Sequence, residues 1–181
     1  MRRIRYAVVA SLDGYIAGPN GEADWIITDP AIDFDAFFKE FDTVLVGRRT
    51  FEIMARAGKV ELPGMKTYVL SKTLQPSDYP GVTILGEQAE QHVASLRAES
   101  GKDIWLFGGG SLFRSLLDAG LVDTVELSII PILLGGGIPL LPTPAKEAKL
   151  KLMDHKVYAS GIVSLQYAVL PADPGALRTP Q

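Results

Sequence analysis

Three consecutive glycines, Gly108, Gly109 and Gly110, lie between an apolar run (Ile104 to Phe107) and a helical pattern that opens at Ser111. Without Cβ atoms, such a strand-to-helix turn lets another backbone or a ligand approach closely. The helix aims unpaired N–H groups and a partial positive charge back at the gap. That is the geometry of a phosphate or pyrophosphate site. A tight turn with no ligand explains a bare glycine run equally well. Three more turns carry ligand-suited groups. Gly47-Arg48-Arg49-Thr50 follows the strand Thr43 to Val46, with Thr50 as a cap for a short helix over Phe51 to Ala57. Two arginines beside a helix start suit phosphate. Ser71-Lys72-Thr73 follows the strand Lys66 to Leu70. Ser11 to Gly21 follows the strand Ile4 to Ala10, and Gly14, Gly18, Pro19 and Asn20-Gly21 make it a long loop. Long ordered loops tend to carry function, although a plain hairpin connection around Asn20-Gly21 fits as well.

A candidate acid lies further on. Asp29-Pro30 reads as a helix start, with Asp as N-cap and Pro at the first helical position. Phe34, Phe37, Phe38 and Phe41 then form one apolar stripe at i, i+3, i+4 and i+7. Asp33 sits at the stripe's edge. There a carboxylate can be half buried and raised in pKa, as a proton donor needs, or can simply favour the helix dipole from the first turn.

Composition bounds the rest. The 181 residues carry a formal net charge of −3 and 47% hydrophobic residues, an ordinary globular balance with no long basic stripe. Nucleic acid is not an expected partner. With no cysteine, disulfides and thiolate chemistry are excluded. His92 and His155 stand far apart, so neither a zinc site nor a Ser-His-Asp triad is expected. The start, MRRIRYAVVASLDG, reads as a first strand and not a signal peptide. The longest uncharged run, Leu127 to Pro142, is broken by Pro131 and Gly135 to Gly137 and falls short of the ~20 residues of a membrane helix. A soluble cytoplasmic protein is the expectation. The apolar stretch Ile129 to Leu141 is either internal core or a homodimer face.

These groups need a frame. Strands alternate with helices through two thirds of the chain, which predicts an α/β fold with a mostly parallel sheet. A C-terminal antiparallel hairpin, Leu150 to Tyr158 and Ile162 to Leu170, turns at Ala159-Ser160-Gly161. One domain covers residues 1–170, and 171–181 reads as a flexible tail. In such a sheet, loops leaving the C-terminal strand ends gather on one edge. The four turns would then hold an elongated anionic ligand such as a dinucleotide. The G-x-G-x-x-G fingerprint of the usual dinucleotide fold is absent from the first βαβ unit.

SLDGYIAG, VGRRTFE, VLSKTL, LFGGGSLF and LVDTVELSIIPILLGGGIPL, in that order, resemble the dihydrofolate reductase superfamily. The closer likeness is to its bacterial branch that includes the C-terminal reductase domain of the bifunctional riboflavin-biosynthesis enzyme. The resemblance implies a three-layer α/β/α fold and an NADPH-dependent reductase. Such an enzyme transfers hydride to a small pteridine- or pyrimidine-like heterocycle; the alternative is an NADP(H)-binding module without turnover. It implies that Val9, Ala10 and Ile16 lie against the nicotinamide, and that Gly47, Arg48, Arg49 and Thr50 bind the adenosine phosphates. Ser71 and Lys72 would hold the 2′-phosphate side. Gly108, Gly109 and Gly110, with Ser111 and Leu112, would take the pyrophosphate, and Phe107 before them would also line the cofactor site. The substrate side maps to Ser128 and to an acid on the first helix, nearest Asp33, with Asp29 and Asp35 behind it. In the riboflavin branch the substrate is a ribosylated pyrimidine carrying a phosphate, and the sequence shows no clear basic cluster reserved for it.

Overall fold

The computed structural model describes residues 1–171; the expected tail, apart from Pro171, lies outside the described residues. The chain runs β1 (Ile4–Ser11), β2 (Tyr15–Ala17), α1 (Phe34–Lys39), β3 (Phe41–Gly47), α2 (Arg48–Arg56), β4 (Lys66–Leu70), β5 (Thr83–Leu85), α3 (Ala89–Ala98), β6 (Asp103–Gly108), α4 (Gly110–Asp118), β7 (Thr124–Ile130), β8 (Ile138–Pro139), β9 (Leu150–Val157) and β10 (Val163–Val169). The main sheet has eight strands in the order β5-β4-β3-β6-β1-β7-β10-β9. The first six are mutually parallel, and β10 runs antiparallel to both β7 and β9. This is the dihydrofolate reductase-like α/β fold, mostly parallel with an antiparallel C-terminal hairpin.

Period-two alternation builds the layers. Ile4 and Tyr6 of β1, Leu45 of β3, and Ile104 and Leu106 of β6 pack on one face with Val93 and Leu96 of α3 and Leu112, Phe113 and Leu116 of α4. Their neighbours in sequence, Ala7, Val44, Val46 and Trp105, pack on the other face with Phe37 of α1 and with Phe51 and Met54 of α2. Leu106 and Val46 are fully buried, as strands covered on both sides require.

Three local expectations change. The helix predicted from Asp29 begins instead at Phe34, capped by Asp33, whose side chain accepts from Ala36 N–H. Asp29 does act as a cap, but of a single turn. It is 6% exposed and accepts from Ala31 N–H and, across the molecule, from Ser160 N–H of the β9–β10 turn, each at 2.9 Å. These bonds hold its carboxyl below the usual range. Phe41 leaves the helical stripe and enters β3. Finally, α2 starts at Arg48 with Gly47 as N-cap, so Thr50 lies inside its first turn.

At the N-terminal strand edge, Asp103 accepts from Arg3 Nε at 3.0 Å and lies 3.3 Å from Arg5 Nη1. Partial burial by itself would raise the Asp103 pKa, but the hydrogen bonds and charge of Arg3, joined by Arg5, hold it below the ordinary value. A depressed carboxylate contributes stability that is full above the unfolded pKa of about 4 and is lost as pH falls through the folded value. Urea denaturation of the native protein is expected to show a falling midpoint below about pH 4. Asp103→Asn should flatten that dependence and cost on the order of 1 kcal/mol at pH 7.

Candidate active site

One cleft of about 1480 Å³ runs along the C-terminal ends of β3, β4 and β6 and across the faces of β1, β7, β10 and β9. A single small-ligand pocket holds roughly 300–1,000 Å³, so this cleft has room for two molecules side by side.

Its first half is built from helix starts. Strands β3 and β6 are neighbours, and each ends directly in a nine-residue helix, α2 and α4. Neither helix has a side-chain cap, since Gly47 and Gly109 occupy the N-cap positions, and neither has an acid in its first turn. Two sets of unpaired N–H groups and two positive dipole ends therefore face one region. Arg48 and Arg49 are exposed beside it; Arg48 pairs with Glu52 at 3.0 Å. Lys72 is exposed at the end of β4 and has no partner among the described residues. The three glycines differ in role. A Cβ on Gly110 would lie 2.5 Å from Pro139 O and 3.0 Å from Leu140 O, so this glycine admits a crossing backbone. A Cβ on Gly109 would reach the cleft side, 3.4 Å from Thr50 Oγ1 and 3.7 Å from Ile16 Cδ1. Gly108 is buried with φ +126°, a conformation that favours glycine.

The second half is walled by Phe37 and Phe38 of α1 and floored by Trp105, β1 and β7. Ring centroids of Phe37 and Trp105 lie 5.5 Å apart at 90°. Parallel registration sets Val9 beside Ser128 and Ala7 beside Glu126, and antiparallel registration sets Ser128 opposite Ser164 and Glu126 opposite Gln166. One sheet face thus carries a polar row. Ser128 Oγ lies 3.0 Å from Ser164 Oγ. Arg5, its side chain 4% exposed, donates to both Glu126 oxygens at 2.6 and 2.7 Å and also pairs with Glu40. Burial works against the Arg5 charge, but the bonds to Glu126 and Glu40 outweigh it and keep the guanidinium ionised.

Residues 2–164 match the RibD C-terminal domain family. The chain belongs to this family. It is 36% identical over 178 residues to the uncharacterized protein YyaP of Bacillus subtilis, covering 92% of this chain and 94% of that protein. A putative riboflavin biosynthesis protein from Shewanella superposes with TM-score 0.79 at 26% identity over 94% of this chain and all of the other. Dihydrofolate reductase from Enterococcus faecalis, solved with NADP(H), superposes with TM-score 0.65 at 20% identity, covering 92% and 96% of the two chains. The chain's fold neighbours include reductases.

Set on the RibD C-terminal frame, most residues singled out from sequence share the cleft. Val9, Ile16, Gly47, Arg48, Arg49, Thr50, Ser71, Lys72, Phe107, Gly109, Gly110, Ser111, Leu112, Asp33 and Ser128 all line it. Ala10 and Gly108 do not; both are buried beneath it. The Ser71 hydroxyl accepts from Thr73 and Leu74 N–H at 3.2 and 3.1 Å, which commits it to shaping the turn that presents Lys72. Asp33 is exposed, not half buried, because its place as N-cap holds it at the helix mouth. The Ser11–Gly21 loop is tied down: β2 within it pairs with β8, and Asp13 accepts from Leu134 and Gly135 N–H. Glu126, Arg5, Ser164 and Gln166 were missed. Their signal was the alternation Thr124, Glu126, Ser128 on a strand whose intervening residues are apolar.

Proposed function

We propose that this protein is a cytoplasmic NADPH-dependent reductase acting on a small pteridine- or pyrimidine-like heterocycle. The observation that carries the reading is the pair of uncapped helix N-termini, α2 and α4, opening on adjacent strand ends among Arg48, Arg49 and Lys72. Donors and cations in that number fit a pyrophosphate and a 2′-phosphate. The bare Gly109 backbone between Thr50 and Ile16 leaves the space such a group needs. Bound there, NADPH supplies a hydride to the carbon of a C=N or C=O bond. The chain's own groups bind, orient and protonate. Val9 and Ile16 present an apolar surface near the hydroxyl row. Ser128 orients the polar edge of the substrate ring. Asp33, or water beside it, supplies the proton that completes the reduction.

Calorimetric titration is expected to give micromolar affinity for NADPH and at least tenfold weaker binding of NADH. Lys72→Ala should erase that preference. The double variant Arg48→Ala, Arg49→Ala should weaken NADPH tenfold or more, about 1.4 kcal/mol. No binding at millimolar NADPH overturns the proposal. A second reading, retention of NADP(H) without turnover, is favoured by the exposure of Asp33. Absence of NADPH oxidation across a heterocycle panel, with NADPH bound, selects it. A homodimer is part of the proposal: edge strand β9 exposes Leu152, Met153 and Val157, and sedimentation velocity should report twice the chain mass.

A further inference from the structure

The cleft is electrically divided. Around the helix starts, Arg48, Arg49 and Lys72 dominate, with Glu52 balancing only Arg48 and Glu90 engaged by Ser115. Across the aromatic half the sign reverses. Asp33, Glu40, Glu126 and Asp154 line it, and the only permanent cations among its described lining residues are Arg5 and Lys156; His155 also lines it.

Neither cation is placed to receive a phosphate. Arg5 is only 4% exposed, grips Glu126 with two hydrogen bonds and also contacts Glu40 and Asp103. Recruiting it would leave carboxylates unpaired in a dry site, which is costly. Lys156 lies with Nζ 4.6 Å from the Tyr158 ring centroid and 3.4 Å from Ala31 O. Asp154, two residues away on the same strand, and Asp29, whose carboxyl feels the Lys156 charge, flank it. The helix that opens here, α1, has only six residues, and Asp33 already accepts from its first turn. Phosphate sites are built from guanidinium or ammonium groups and free backbone N–H groups; apart from Arg5 and Lys156, engaged as described, this half offers carboxylates instead. What remains suits a different ligand. Ser128, Ser164 and Gln166 supply neutral donors and acceptors, and Phe37 and Phe38 supply ring faces. The carboxylates accept from amino and ring N–H groups.

We infer that the substrate half of the cleft selects a flat, N–H-bearing heterocycle that carries no phosphate, neutral or cationic. The inference rests on the cofactor half holding NADP(H) as proposed above. It separates this chain from a phosphoribosyl-pyrimidine reductase while keeping the reduction itself.

The test fills the basic half first, so that phosphates cannot enter it. Protein saturated with NADP⁺ is titrated calorimetrically with two matched pairs, uridine against uridine 5′-phosphate and riboflavin against riboflavin 5′-phosphate. In at least one pair the phosphate-free member is expected to bind ten times or more tighter than its phosphate. Asp154→Lys, an exposed strand position, should narrow that ratio by inserting a cation. Equal or tighter binding of the phosphates overturns the inference, and so does failure of all four compounds to bind the NADP⁺ complex. Failure of NADP⁺ itself to bind is a separate result: it overturns the cofactor assignment as well.

Discussion

Gly109→Val is expected to weaken NADPH binding more than a hundredfold, about 2.7 kcal/mol, in a protein that still folds. Gly109 has φ −86° and ψ −164°, extended backbone open to any residue. Its missing Cβ points toward Thr50 and Ile16, with van der Waals room for one methyl and little more. A branched side chain there fills the space between the starts of α2 and α4. Gly110→Ala is expected to do the reverse. Its Cβ would sit 2.5 Å from Pro139 O and 2.9 Å from Pro142 Cδ. Residues 139–142 or the helix must move, at roughly 1–3 kcal/mol of stability, with a smaller direct effect on binding. Urea midpoints and NADPH affinity, measured on both variants, separate the two roles. Equal loss of affinity without loss of stability in both would refute the division of labour within the glycine turn.

Arg5→Ala is the substitution expected to harm the fold most, by about 3–5 kcal/mol. It takes from Glu126, 15% exposed, the two hydrogen bonds that Arg5 donates, leaving only the one from Thr124, and it strips Glu40 of its guanidinium partner, while Asp103 keeps Arg3. The Arg5 guanidinium also lies 4.7 Å from the Phe41 ring centroid, so alanine forfeits that cation–π attraction too. Much of the penalty comes from the stranded carboxylate, so Arg5→Met combined with Glu126→Leu should recover a large share of the stability. A double-mutant cycle by chemical denaturation measures this. Additive losses would show that the pair is not coupled.

How far the sequence revealed this molecule depended on the range of the interactions involved. The alternation of strands and helices was plain because it rests on local pattern and burial. The glycine turn and the Gly47-Arg48-Arg49-Thr50 turn were also plain as strand-to-helix turns, since a helix start carries its chemistry in consecutive residues, and Lys72 was plain as a cation just past a strand end. The placement of α1 was not. Both Asp29 and Asp33 look like caps, and a hydrogen bond from Ser160, 131 residues away, takes part of Asp29's capacity. The exposure of Asp33 follows from that late start. The polar row across β1, β7 and β10 was hidden for a related reason: Arg5, Glu126, Ser164 and Gln166 meet only through sheet registration. Within one strand each reads as an ordinary charged or polar residue. The separation of Gly109 from Gly110 likewise depended on where residues 139–142 cross.

The indole N–H of Trp105 donates to Ala7 O at 3.0 Å, and the ring forms part of the cleft floor at 8% exposure. The chain has one other tryptophan, Trp25, half-buried between β2 and α1 with its N–H on Glu22 O. The molecule therefore carries its own optical gauge. A shielded indole beside the cleft emits where reduced nicotinamide absorbs, so NADPH bound as proposed is expected to quench its light by energy transfer. Trp25→Phe isolates that signal, and occupancy can be followed without a label.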